Sequence, residues 1–115
     1  MKKFFVLITA LILSACSQPT PQEQVQQTMK EIVTAIDNGE KQLLIDKYVN
    51  LGKYKITAKD LHQENLDRLK GFLVQAESKT PVMNEDNTRA EIEVEGSHKP
   101  LTFTKAEDGQ WKLNN

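Results

Sequence analysis

The chain contains few of the residue types on which common catalytic sites depend. Its 115 residues include one cysteine and two histidines. A lone cysteine cannot close an internal disulfide, and neither His62 nor His98 has a second histidine or a cysteine at a zinc-ligand spacing. A glycine-rich phosphate loop is absent, and serine and histidine are too scarce for a nucleophilic triad. We therefore expect no enzyme, no metal and no cofactor.

Apolar residues are concentrated in one run near the N-terminus. Two lysines precede an apolar stretch of about ten residues that ends at Leu13, and Ser14-Ala15-Cys16 follow it. A bilayer span needs roughly 20 apolar residues, whereas a signal-peptide core needs about 7 to 15 and ends at small residues. Residues 1–15 are therefore predicted to be a cleaved signal peptide. Ordinary secretion and an uncleaved anchor are the alternatives.

The sequence Leu13-Ser14-Ala15-Cys16 resembles the lipobox of bacterial prolipoproteins. The resemblance implies cleavage between Ala15 and Cys16, a diacylglycerol on the Cys16 thiol, and an acyl chain such as palmitate on the new amino group. Ser17 stands where enterobacterial lipoproteins that stay in the inner membrane carry an aspartate. The resemblance thus implies a lipid-anchored envelope protein on the periplasmic face of the outer membrane, with the inner membrane or the cell surface as alternatives.

The chain after residue 15 has the size of one domain. Residues 16–115 carry 13 basic and 16 acidic side chains, so their net charge is −3. Domains of about 100 residues are common, and a mildly acidic chain is unsuited to nucleic acid, which is bound through lysine and arginine. We predict a lipidated cysteine with a short tether at residues 16–20 and a single domain at residues 21–115.

Three helices are predicted in the first part of this domain. Thr20 and Glu23 have the spacing of a capping box, with Pro21 at the first helical position. This helix should end at Asp37, before an Asn-Gly pair that favours termination. Its apolar stripe at helical spacing comprises Val25, Met29, Ile32, Val33 and Ile36.

The second and third helices are marked by shorter signals. The second is expected from about residue 40 to residue 49. Its apolar side comprises Leu43, Leu44 and Tyr48. The third should begin at Thr57, which has the spacing of a second capping box with Asp60. Its buried face comprises Leu66, Leu69, Phe72, Leu73 and Ala76.

The last third of the chain alternates apolar and polar residues, which is the pattern of half-buried strands. The inward-facing residues are Ala90, Ile92, Val94, Leu101, Phe103, Trp111 and Leu113. A further short edge strand is expected at Val82 and Met83, after Pro81. A three-residue loop with Gly109 in a left-handed conformation is predicted to set the register of the last hairpin. A loop with an even number of residues, around residues 96–99, is predicted to set the register of the hairpin before it. The predicted pairs are Phe103 with Leu113, Lys105 with Trp111, Ile92 with Phe103, and Val94 with Leu101.

Helices followed by an antiparallel sheet predict an α+β fold, in which about three helices pack on one face of three to four strands. This order, with Trp111-Lys112-Leu113 closing the last strand, resembles the cone-shaped fold of the nuclear-transport-factor-like and ketosteroid-isomerase-like superfamily. The resemblance is greatest to its small bacterial lipoproteins of unknown function. A cystatin-like helix-on-sheet arrangement is the alternative. Enzymes of this superfamily commonly place an aspartate, histidine or tyrosine inside the cone, but no such set can be assigned to this sequence.

Two groups of side chains are candidates for contact with a ligand or partner. The first comprises Tyr48, Tyr54 and Trp111. These residues could line a pocket between helices and sheet, although core packing is the commoner role. The second comprises Glu91, Glu93 and Glu95. This acidic row on one strand could attract a basic partner, although a solvated strand face shows the same pattern.

The expected function is that of a periplasm-facing lipoprotein that binds an envelope protein or component without catalysis. The membrane is its first partner, through the lipid on Cys16. Two alternatives remain open. One is an inhibitor or immunity lipoprotein that neutralises an envelope-targeting toxin or hydrolase. The other is a small-molecule carrier of the cone fold. The sequence does not define the oligomeric state.

Overall fold

Helices occupy the first part of the domain and an antiparallel sheet the last part. The computed structural model describes residues 18–50 and 56–114. The helical elements are α1 (Pro21–Asp37), α2 (Lys41–Leu43), a π-helical turn (Leu44–Tyr48), a 3₁₀ turn (Ala58–Asp60) and α3 (Gln63–Ala76). The strands are β1 (Val82–Met83), β2 (Arg89–Ile92), β3 (Leu101–Lys105) and β4 (Trp111–Leu113). The predicted α+β architecture is confirmed.

α1 begins at the predicted capping box. The Glu23 carboxylate accepts the Thr20 N–H at 2.9 Å, and the Thr20 hydroxyl accepts the Glu23 N–H at 3.2 Å. These bonds satisfy two donors at the helix start, and Pro21 has no N–H to satisfy. The stripe that follows is buried at Val25, Met29, Ile32 and Ile36 and partly buried at Val33.

α1 ends in a Schellman motif. Gly39 adopts a left-handed φ of 71°, and its N–H donates to the Ile36 carbonyl at 3.1 Å. The Glu40 N–H donates to the Ala35 carbonyl at 2.9 Å. Glycine suits this position because a side chain would strain the left-handed backbone. The predicted end of the helix is therefore confirmed.

The second helix differs from its prediction in winding and in the residues that it buries. α2 continues directly into the π-helical turn, in which the Val49 N–H donates to the Leu44 carbonyl at 3.0 Å. Leu44 and Tyr48 are buried, whereas Leu43 is 36% exposed. Successive residues of an α-helix point about 100° apart, so Leu43 lies toward the edge of the face that Leu44 buries. The placement of Leu43 on the apolar side was wrong.

The third helix starts later than predicted. The capping box at Thr57 and Asp60 forms, with the Thr57 N–H donating to Asp60 Oδ2 at 2.8 Å, but it caps only the 3₁₀ turn. Leu61 is extended, and α3 begins two residues later. A continuous helix would point Leu61 and Leu66 about 140° apart, and the break allows both to reach the core. The face of α3 is buried at Leu66, Leu73 and Ala76 and partly buried at Leu69 and Phe72.

The four strands form an antiparallel sheet in the order β1-β2-β3-β4. The β3–β4 hairpin has the predicted register, with Phe103 opposite Leu113 and Lys105 opposite Trp111. Gly109 in its turn has a φ of 89°. A three-residue hairpin loop requires a left-handed residue at this position. The short edge strand at Val82 and Met83 is also present as predicted.

The β2–β3 pairing is shifted by two residues from its prediction. Ile92 lies opposite Leu101, and Ala90 lies opposite Phe103. The predicted partners, Val94 for Leu101 and Ile92 for Phe103, were therefore wrong. Because side chains alternate with a period of two, the shift leaves all of these residues on the same face of the sheet.

Side chains at the end of α3 and just after it account for this shift. Gln75 Oε1 accepts the Glu95 N–H at 2.6 Å, and Lys79 Nζ donates to the Glu93 carbonyl at 2.8 Å. These bonds hold the chain after β2 against the helix instead of against β3. Val94 is still buried, so the segment contributes to the core without pairing as a strand.

The core lies between α1, α3 and the inner face of the sheet. Its largest fully buried side chains are Phe103, Met29, Ile32, Leu44, Leu73 and Val25. Beyond β4, Val49 forms a parallel bridge with Leu113, and the Asn50 N–H donates to the Leu113 carbonyl at 2.8 Å. The exposed edge of β4 is therefore covered at Leu113, the last residue of the strand.

Candidate functional site

Two of the three predicted pocket residues hydrogen-bond to side chains of α1. Trp111 Nε1 donates to Gln24 Oε1 at 3.1 Å, and the Tyr48 hydroxyl donates to Glu31 Oε1 at 3.0 Å. Both rings are buried, so each is a core residue whose polar atom reaches the border of α1. Tyr54 lies outside the described residues.

Sequence reasoning missed both partners on α1. Gln24 and Glu31 are seven residues apart, so they lie on the same side of the helix. Each directly precedes a buried residue of the apolar stripe, Val25 or Ile32. The sequence did show that these two residues are polar and lie at the border of the apolar stripe. It did not show which aromatic side chain each would contact, because that depends on how α1 packs against distant parts of the chain.

The Tyr48 hydroxyl is a fixed donor to Glu31. Burial raises the pKa of Tyr48, and the hydrogen bond and negative charge of Glu31 raise it further, while Lys47 has the opposite effect. The Lys47 ammonium lies 5.2 Å from the Tyr48 ring centroid, within the range of a cation–π contact. The phenol stays protonated at neutral pH, and its hydrogen bond holds the Glu31 carboxylate in place.

A polar groove, here named the α1 groove, runs between α1 and the β3–β4 turn. Its volume is about 510 Å³. Its lining includes Pro19, Glu23, Gln24, Gln27, Lys30, Glu31, Gly109, Gln110 and Trp111. A smaller cavity of about 220 Å³ beside Tyr48 shares Gln27, Lys30 and Glu31 with it. The two cavities are therefore neighbours along the helix.

Several polar groups of the α1 groove are held by hydrogen bonds. Gln27 Nε2 donates to Glu31 Oε2 at 3.3 Å, and Gln110 Nε2 donates to the Trp111 carbonyl at 2.9 Å. The groove offers amides, carboxylates and the Lys30 ammonium, which can bind a polar ligand through hydrogen bonds. These bonds do not join a nucleophile to a base.

A more apolar depression of about 320 Å³ lies between α3 and the sheet. Its lining comprises Asn65, Arg68, Leu69, Phe72, Ser97, Leu101 and Leu113. It lies at the rim of the core, since Leu101 and Leu113 in this lining are core residues.

The predicted acidic row does not lie on one strand. Glu91 belongs to β2, opposite Thr102, and its Oε2 lies 3.4 Å from the guanidinium of Arg89. Glu93 and Glu95 lie in the connection that follows β2. All three glutamates are exposed and alternate with the buried Ile92 and Val94. They therefore share one outward side of the chain, although only Glu91 lies within a strand.

The two histidines lie apart from the α1 groove. His62 is the N-cap residue of α3, and its side chain makes no capping hydrogen bond. His98 is exposed in the connection between β2 and β3. Across residues 18–50 and 56–114, no group of three or more histidine, cysteine, aspartate or glutamate side chains could hold a metal ion.

The lipobox, with Ala15 and Cys16, lies outside the described residues, so the lipidation of Cys16 stays a prediction. In the part of the chain that the structure describes, no helix has both the length and the apolar character needed to span a bilayer.

Comparison of the chain with protein-family models, with curated proteins and with solved structures found no match. Function must therefore be argued from the residues of this chain.

Proposed function

We propose that this protein is a lipoprotein of the bacterial cell envelope, anchored by diacylglycerol and acyl chains on Cys16. Its domain binds an envelope protein or component without catalysis. The observation that carries this proposal is the sequence Leu13-Ser14-Ala15-Cys16, which follows a basic start and a short apolar run. Ser17 favours the periplasmic face of the outer membrane over retention in the inner membrane.

The start of α1 supports attachment close to the bilayer. The capping box fixes Thr20 and Glu23, so regular structure begins within a few residues of Cys16. The reach of a tether grows with its number of residues. So short a connection keeps the domain at the membrane surface and favours partners that are themselves in or on the membrane.

The α1 groove supports a binding role for the domain. Its carboxylate at Glu31 is fixed from both sides, by Tyr48 and by Gln27, and Lys30 lies beside it on the same lining. Preorganised polar groups recognise a partner at a low entropic cost, because they need not be ordered on binding.

Mass spectrometry of the protein isolated from bacterial membranes tests the anchor. The N-terminal peptide should begin at Cys16 and carry the mass of a diacylglycerol and one further acyl chain. The Cys16→Ala variant should keep residues 1–15 and acquire no lipid, whereas Ser17→Ala, which leaves the lipobox intact, should be processed like the wild type. A wild-type protein with a free Cys16 thiol would contradict the proposal.

Cross-linking in the same cells tests the binding role. A Lys30→Glu variant should lose the partner that the wild type captures, because the positive charge that Lys30 contributes to the α1 groove is replaced by a negative one. Lys59→Glu, at an exposed lysine of the 3₁₀ turn, is the matched control and should retain it. Equal capture by both variants would exclude the α1 groove as the binding surface.

A further inference from the structure

We infer that one end of the domain, formed by the first turn of α1 and the β3–β4 turn, is its membrane-facing surface and lies against phospholipid headgroups. We name residues 20–23 and 107–109 the anchor end. The inference rests on the proposed lipidation of Cys16. It goes further, because a lipid anchor alone does not specify which side of a domain meets the bilayer.

The covalent chain limits the distance between the lipid and the domain. Cys16 and Pro19 are separated by three residue steps. A chain spans at most about 3.6 Å per residue, so these steps cover no more than about 11 Å in any conformation. Pro19 therefore lies within about 11 Å of the anchored cysteine.

Pro19 is in turn tied to the β3–β4 turn. Gln24 Nε2 donates to the Pro19 carbonyl at 3.4 Å, and Gln24 Oε1 accepts from Trp111 Nε1 at 3.1 Å. Pro19, Gly109 and Gln110 line the same groove. The end of the tether and the β3–β4 turn therefore lie on the same side of the domain, and the lipid places both at the bilayer.

The opposite end of the domain lies far from the anchor. α1 has 17 residues, which at 1.5 Å per residue is about 25 Å. α3 runs back beside α1, since Lys70 contacts Asp37 at 2.6 Å and Gln26 Nε2 donates to the Lys79 carbonyl at 2.9 Å. The first turn of α3, with the exposed Glu64, thus lies at or beyond the far end of α1.

The charge of the anchor end indicates how it contacts the membrane. It carries Glu23, Glu107 and Asp108, all exposed. Anionic lipids attract basic segments and repel these carboxylates, so the acyl chains, and not charge attraction, hold this end at the bilayer. The α1 groove begins beside this end, at Pro19 and Gly109.

Depth-dependent fluorescence quenching tests the orientation. Cys16 is the only cysteine, and a lipidated Cys16 cannot take up a thiol-reactive dye, so a second cysteine can be labelled selectively. Full-length Glu107→Cys and Glu64→Cys variants, purified with their lipid, are labelled and reconstituted. The vesicles contain phosphatidylethanolamine, phosphatidylglycerol and a lipid with a spin-labelled headgroup.

Strong quenching at position 107 and weak quenching at position 64 is the expected result. Equal quenching at the two positions, or stronger quenching at position 64, would overturn the inferred orientation while leaving the lipid anchor intact. Failure of the proposed function gives a different result. In that case the parent protein takes up dye at Cys16 itself and does not enter the vesicles through a lipid.

Discussion

Two capping boxes in this chain have the same chemistry and different consequences. In each, the N–H of a threonine donates to a carboxylate three residues later, at 2.9 Å for Thr20 and 2.8 Å for Thr57. The first box begins a helix of 17 residues, whereas the second begins a 3₁₀ turn of three residues. A good cap therefore marks where a helix can start but does not determine how far it continues.

The residues that follow each cap explain the difference. After Thr20, a stripe with helical spacing continues for three turns and is buried against the core. After Thr57, the next large apolar residues are Leu61 and Leu66, whose spacing of five does not fit one face of a helix. Most helical stability in proteins comes from burying such a stripe. The turn that begins at Thr57 has no such stripe, so it ends at Asp60.

The largest expected effect is the loss of a stripe residue. Met29 is fully buried, and Met29→Ala should lower the free energy of unfolding by about 2 to 5 kcal/mol. Leu61→Ala, at a residue that is only partly buried, should cost clearly less. Urea denaturation followed by circular dichroism measures both values. Similar losses of unfolding free energy for the two variants would contradict the idea that burial of an apolar stripe distinguishes α1 from the segment after Thr57.

A smaller effect is expected from removing the caps. Thr20→Ala should cost about 0.5 to 2 kcal/mol, the usual range for an N-cap, because the start of α1 loses a fixed partner. Thr57→Ala should cost less than about 0.5 kcal/mol, as for most surface substitutions, since its cap supports only one turn.

The same denaturation measurement compares the caps, with Thr20→Ser as the control that keeps the hydroxyl. Thr20→Ser should remain close to the wild type in stability. If Thr57→Ala proved as damaging as Thr20→Ala, the second cap would have a structural role that its short turn does not explain.

The smallest effect is the pH dependence of the first capping box. Hydrogen bonds from the Thr20 backbone and then its side chain lower the pKa of Glu23 from its ordinary value of 4.5. A pKa that is lower in the folded state gives stabilisation above the unfolded-state value, and this stabilisation is lost as the pH falls through the folded-state value. The wild type should therefore lose part of its stability as the pH falls below 4.5.

Glu23→Gln is the matched variant for this measurement, because glutamine can complete a capping box without titrating. The difference in unfolding free energy between the two proteins should be greatest at neutral pH and shrink in acid. A difference that is unchanged between neutral pH and a pH well below 4.5 would show that the Glu23 charge does not contribute to the cap.

Local signals were sufficient to predict part of this fold. The β3–β4 register followed from the alternation of Phe103 and Leu113 around a turn that ends in Gly109, and all of these residues lie within one hairpin. The start of α1 at Thr20 and its end before Gly39 were likewise set by neighbouring residues. Such features need no knowledge of distant parts of the chain.

Long-range contacts explain what could not be predicted. The β2–β3 register depends on Gln75 and Lys79, which hydrogen-bond to the chain just after β2. In the sequence, a turn and the edge strand β1 separate these two residues from β2. The α1 groove depends on the contact of Trp111 with Gln24, 87 positions away. Neither contact leaves a periodic pattern in the sequence, so the site required the structure.

The bond between Trp111 and Gln24 also bears on when the domain can fold. Trp111 and Leu113 of β4 are both buried in the core, so a nascent chain that has not reached residue 113 lacks two core side chains and one of the two strands that pair with β3. Contacts between distant residues form late in folding, because a long loop must close first. For the envelope lipoprotein that we propose, this delay would keep the domain unfolded until β4 has been synthesised.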